Sequence, residues 1–77
     1  MSLVRNISVA KNVRNLLRSN GVRQRDLAAE LGMHEQTVSN KLNGQRPFTL
    51  RDVARIADYF DVSVDYLLGR DSEEAAQ

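Results

Sequence analysis

Apolar residues recur along the chain at helical spacing, and nowhere does a two-residue strand alternation persist. Val9, Val13, Leu16 and Leu17 repeat at +4, +3 and +1, which predicts a first helix over residues 8–18. Ser8 is the expected N-cap, and residues 1–7 are expected to be loosely held. Asn20-Gly21 ends this helix and turns the chain. Residues 23–31 carry Leu27, Ala28 and Leu31 on one side of a second helix. Gly32 stops it, at a place where a left-handed residue costs least. A third helix is predicted over residues 35–43. At 100° per residue, Val38 and Leu42 fall on one side of it, and Gln36, Asn40 and Asn43 on the other.

Gly44 ends the third helix, and Gln45-Arg46-Pro47 forms a loop that Pro47 holds extended. Phe48 is expected to anchor this loop in the core. Thr49 reads as an N-cap with Asp52 at the third helical position, close to a capping box. The fourth helix then runs to Phe60 with Val53, Ile56, Ala57 and Phe60 at i, i+3, i+4 and i+7. Ser63 caps a short fifth helix, with Val62 and Leu67 at staple positions and Gly69 as its stop. The fold class is therefore all-α: a compact five-helix domain over residues 1–69. Residues 70–77 are small, polar and acidic, and are expected to be a disordered tail or the start of a linker.

The starts of the middle helices are unusual. Arg23 stands where the second helix begins, yet its side chain cannot accept a bond from the helix amides. Its charge is also unfavourable at that end of the helix dipole, which Asp26 suits. Either Arg23 faces a phosphate or the position has drifted without strain. Val22 precedes it at the staple position to Leu27. His34 is the expected N-cap of the third helix, and Met33 is expected in the core.

Composition narrows the chemistry. Seventy-seven residues make one small domain. With no cysteine and one histidine, disulfides, thiolate chemistry and the usual zinc sites are excluded, and no metal or cofactor is expected. No nucleophile, base and orienting group cluster in the sequence, and no phosphate-binding glycine loop appears, so an enzyme is not expected. No apolar run approaches the ~20 residues of a membrane span, and the start does not resemble a signal peptide. A cytoplasmic protein is the expectation. The net charge of +1 hides an asymmetry. Residues 1–51 hold nine basic and three acidic side chains, a net +6, and residues 52–77 hold two and seven, a net −5. The basic part contains the amide-bearing third helix, which fits a phosphate partner.

Several residues together resemble the Cro/repressor-type, lambda-repressor-like helix-turn-helix family of bacterial and phage regulators. They are Gln24, Leu27, Ala28, Leu31-Gly32-Met33, Val38-Ser39, Leu42-Asn43-Gly44, Arg46-Pro47-Phe48-Thr49-Leu50 and Val62-Ser63-Val64-Asp65-Tyr66-Leu67-Leu68. The resemblance covers about residues 10–68, and the order and spacing carry it. It implies that helices 2 and 3 form the motif and that helix 3 enters the major groove of DNA. Gln36 and Asn40 are then the main base-edge candidates, since an amide can pair bidentately with adenine. Glu35 would accept from a cytosine amino group or satisfy the helix dipole. Thr37 and Ser39 would touch a thymine methyl or a phosphate.

The resemblance also implies that Gln24 contacts a backbone phosphate and holds Gln36 in a fixed rotamer. Lys41, Asn43 and Arg46 look like phosphate contacts, with Arg46 alternatively in a narrow minor groove. Many family members carry Glu just before Asn-Gly, paired with an Arg of helix 1. Leu42 stands there instead, so the helix 1–helix 3 contact is expected to be apolar, as in a phage-like branch. The function implied is sequence-specific binding of double-stranded DNA by a transcriptional regulator, a repressor. It would act as a homodimer, formed in solution or only on a palindromic operator, through apolar residues such as Val64 and Tyr66. The alternative is a protein-interaction module, an antitoxin or adaptor that uses the acidic tail to hold a basic partner.

Overall fold

The computed structural model describes the backbone of residues 2–69 and the side chains of residues 8–69. The expected acidic tail lies outside these described residues. Five helices follow one another: α1 (Ser2–Asn20), α2 (Gln24–Leu31), α3 (Glu35–Leu42), α4 (Leu50–Phe60) and α5 (Val64–Leu67). No strand occurs among the described residues.

One core joins all five helices. It is built from Val9, Val13, Leu16 and Leu17 of α1, Leu27, Ala28 and Leu31 of α2, Val38 and Leu42 of α3, Val53, Ile56 and Ala57 of α4, and Leu67 of α5. Phe48 plugs it from the α3–α4 loop. Leu27, Ile56 and Leu67 are wholly buried, each contributing about 1.5–3 kcal/mol of transfer free energy. Met33 and Phe60 are only partly buried at its edge. The helical periods of the sequence thus find their partners nearly one for one.

The start of α1 differs from expectation. The helix begins at Ser2, so Ser8 is an internal helical residue and not an N-cap. Residues 2–7 contain neither Gly nor Pro, and a helix nucleated on the core contacts of Val9 and Val13 propagates backward without a breaker. Ser8 has another use. A Cβ placed on Gly69 would lie 3.5 Å from the Ser8 Cβ, so a small residue on α1 lets the end of α5 close onto it.

Polar side chains of α1 finish the ends of two other helices. Asn12 Nδ2 donates to the carbonyls of Tyr66 (2.9 Å) and Leu67 (3.2 Å) at the C-terminus of α5. Arg14 Nη2 donates to the Leu42 carbonyl (3.1 Å) and to Asn43 Oδ1 (2.7 Å) at the C-terminus of α3. Orphan carbonyls at a helix end need such donors, and a cation there also favours the dipole. Leu17 and Leu42 are both buried, as an apolar α1–α3 contact requires. The contact is nevertheless not purely apolar, because Arg14 supplies its polar edge from one turn earlier on α1.

Candidate nucleic-acid interface

The geometry of the candidate site starts at Gly32. Its φ of 69° and ψ of 34° close α2 in the left-handed region, and Met33 N–H returns to the Ala28 carbonyl at 3.0 Å. Only Gly32, Met33 and His34 separate α2 from α3, so the two helices pack closely against each other. Burial of Val38 and Leu42 fixes which side of α3 faces inward. Gln36 and Asn40 then lie together on the outer side, and Gln36 Nε2 donates to Asn40 Oδ1 at 3.0 Å. This bond uses neither the Gln36 Oε1 acceptor nor the Asn40 amide donors. The partner that braces Gln36 is Asn40; among the described residues no hydrogen bond joins it to Gln24. Glu35 is exposed in the first turn, with Thr37 and Ser39 half-buried on the flanks.

Lys41 is not available as a surface contact. Its ammonium forms an ion pair with the Asp52 carboxylate, and the two side chains are only 10% and 11% exposed. Asp52 also accepts from Thr49 N–H at 3.0 Å, while Thr49 Oγ1 accepts from Asp52 N–H at 3.0 Å. Burial pushes the Asp52 carboxyl up, but the Lys41 and Thr49 hydrogen bonds outweigh it and hold it below the usual carboxylate range. The pair ties the last turn of α3 to the first turn of α4. A wheel read from Gln36 puts Lys41 at about 140°, only about 60° from Val38. That position on the border of the apolar side was the signal that Lys41 turns inward.

The other polar candidates remain at the surface. Asn43 and Arg46 are exposed beyond the end of α3. Arg23 is the N-cap residue of α2 and makes no side-chain bond to the helix amides. Its backbone N–H and its Nε both reach Asp26 Oδ2 at 3.2 Å. The Arg23 side chain is 64% exposed in this pair. Its side-chain hydrogen bond, with the backbone one after it, holds the Asp26 carboxyl below its ordinary value. Gln24 is half-buried and lines a cleft with Arg14, Leu17, Arg18 and Val22.

A neighbouring groove is lined by Lys11, Arg14, Asn15, Arg18 and Leu42. These α1 cations lie outside the α2–α3 stretch that carries the amide pair. Their signal was spacing: Lys11, Arg14 and Arg18 stand at i, i+3 and i+7, on one stripe of α1. Val64 and Tyr66, expected as exposed apolar contacts, are partly buried against the core. The large apolar side chains left exposed among the described residues are instead Leu50, at 76%, and Tyr59. No group of three His, Cys, Asp or Glu side chains among the described residues could hold a metal, and no described helix is long and apolar enough to cross a membrane.

Residues 5–77 match the BetR domain family. No curated protein and no solved structure matches the chain. The chain belongs to the BetR domain family, on a match that spans nearly all of it.

Proposed function

We propose that this member of the BetR domain family binds double-stranded DNA sequence-specifically, as a cytoplasmic regulator of the Cro/repressor type. The observation that carries the reading is the outer side of α3. Gln36 and Asn40 stand there as a linked amide pair, on a helix whose inner side is fixed by Val38 and Leu42. Amides both donate and accept, which is what base edges in the major groove require. The end of α3 is held from two directions, by Arg14 of α1 and by Asp52 of α4. A reading side chain gains discrimination when its supporting helix cannot shift.

In this reading Gln36 and Asn40 recognise bases, with Glu35, Thr37 and Ser39 at the margins of the contact. Arg23, Gln24, Asn43 and Arg46 meet phosphates, which set register without carrying sequence information. Lys41 contributes by holding α3 and not by touching DNA. One reading helix spans few base pairs, so the protein acts as a two-fold pair on half-sites about 10 base pairs apart, as a repressor would. Exposed Leu50 and Tyr59 make α4 the better candidate for that self-contact than Val64 and Tyr66.

Selection of bound duplexes from a random library tests the proposal. The expected result is a recurring two-fold site, together with affinity for random duplex that falls steeply with salt. A library that returns unenriched, with no salt-dependent affinity, overturns it and favours a protein-binding adaptor or antitoxin.

A further inference from the structure

We infer that α1 carries a second phosphate-binding rail, formed by Lys11, Arg14 and Arg18, that takes the sugar-phosphate backbone of one DNA strand. This inference rests on the duplex-binding reading above and extends it to a helix outside the motif. Two adjoining clefts carry it. One is lined by Lys11, Arg14, Asn15, Arg18 and Leu42, the other by Arg14, Leu17, Arg18, Val22 and Gln24. Arg14 and Arg18 belong to both, so they bridge the start of α2 to the end of α3. Those are the two places where Gln24 and Asn43 are proposed to meet phosphates.

The lining contains no acidic side chain. The ion pairs among the described residues belong to Arg23 and Lys41, so no described carboxylate pairs with Lys11, Arg14 or Arg18. Arg14 is also oriented. Its Nη2 is fixed on the Leu42 carbonyl and Asn43 Oδ1, and the rest of its five-donor fork remains for an anion. Lys11 and Arg18 are seven residues apart, about 10 Å along the helix. A strand carries one charge per ~3.4 Å of duplex axis, so a row of this length reaches more than one phosphate. A single small anion would need only one of these cations; a row of this length suits a polymer of phosphates.

The test compares the full chain with two variants on a random-sequence duplex and on its preferred duplex, over a range of salt. Lys11→Gln with Arg18→Gln is expected to lower the slope of log affinity against log salt by about two units. It should weaken both duplexes alike and leave the thermal midpoint unchanged, since both residues are exposed. Asn15→Lys adds a cation to the groove, and is expected to steepen the slope by about one unit and tighten random-sequence binding. A gain of affinity cannot come from misfolding. If the parent chain binds with a steep salt slope and neither variant moves it, the rail is wrong and the reading by α3 stands. If the parent shows no salt-dependent binding to either duplex, both proposals fall together.

Discussion

The helices of this domain begin in two different ways. α4 and α5 start on Thr49 and Ser63, whose hydroxyls accept from Asp52 N–H at 3.0 Å and Tyr66 N–H at 2.9 Å. α2 and α3 start on Arg23 and His34, and neither side chain bonds to the amides of its helix. The starts of the second pair of helices are therefore capped by hydroxyls, and those of the first pair are not. What holds α2 and α3 is distant in sequence: the buried Leu27, Val38 and Leu42, the Arg14 bonds to the end of α3, and the Lys41–Asp52 pair. A helix of eight residues has little stability of its own, so these tertiary contacts decide its placement. The helices proposed to face DNA thus depend on the rest of the domain for their position, and neither has at its start the capping hydroxyl that α4 and α5 have.

The contrast can be broken most strongly at Lys41. Lys41→Ala leaves the Asp52 carboxylate largely buried without its cation, and should destabilise the domain by about 3 kcal/mol. Urea unfolding measures it. The same variant, assayed under conditions where it is folded, should keep the parent's salt slope, because the ammonium is turned into the protein. A slope lowered by about one unit, with stability unchanged, would mean that Lys41 sits at the backbone of the DNA instead.

Acid probes the same tie. The Asp52 carboxyl titrates below its ordinary value in the folded protein, so its stabilising contribution is fully present above about pH 4. That contribution is lost as pH falls through the depressed folded value. Asp52→Asn should therefore lower stability near neutrality and flatten the acid limb of a stability–pH curve. An acid limb as steep as the parent's would show that other carboxylates control it.

The caps give the next two effects. Thr49→Ala removes an accepting hydroxyl and should cost about 1 kcal/mol. Arg23→Thr works in reverse. It supplies an acceptor where α2 has none, keeps the Asp26 bond to the backbone N–H of residue 23, and should stabilise by about 0.5–1 kcal/mol. The exposed Arg23–Asp26 pair lost in the exchange contributes little. Thermal unfolding compares the two variants directly. A Thr that fails to stabilise would mean that the start of α2 is already satisfied by water.

Most of this fold was legible in the sequence because its core is periodic. The apolar residues of α1, α2 and α4 sit at the spacings that bury them, and Gly32 and Thr49 mark helix ends by backbone chemistry alone. The start of α1 was missed because a serine at position 8 looks like a cap whether or not it is one, although Leu3, Val4 and Ile7 stand at i, i+1 and i+4 and no breaker precedes it. In the candidate site, a residue's placement was legible where it follows from its side of one helix, as for Gln36 and Asn40. It was not legible where the role depends on a second helix. Nothing in the local sequence of Lys41 says that Asp52 will lie beside it. Nothing near Arg14 says that the end of α3 will arrive at its guanidinium.

Whether α3 reads bases through Gln36 is decided by one comparison. Affinities of the parent and of Gln36→Ala are measured on the preferred duplex and on random-sequence duplex at several salt concentrations. A loss of about 1–3 kcal/mol is expected on the preferred site, with the choice of base relaxed at one position. Random-sequence affinity and salt slope should be unchanged, because an uncharged side chain releases no counterions. Equal loss on both duplexes, or no loss on either, would contradict the assignment of α3 as the reader.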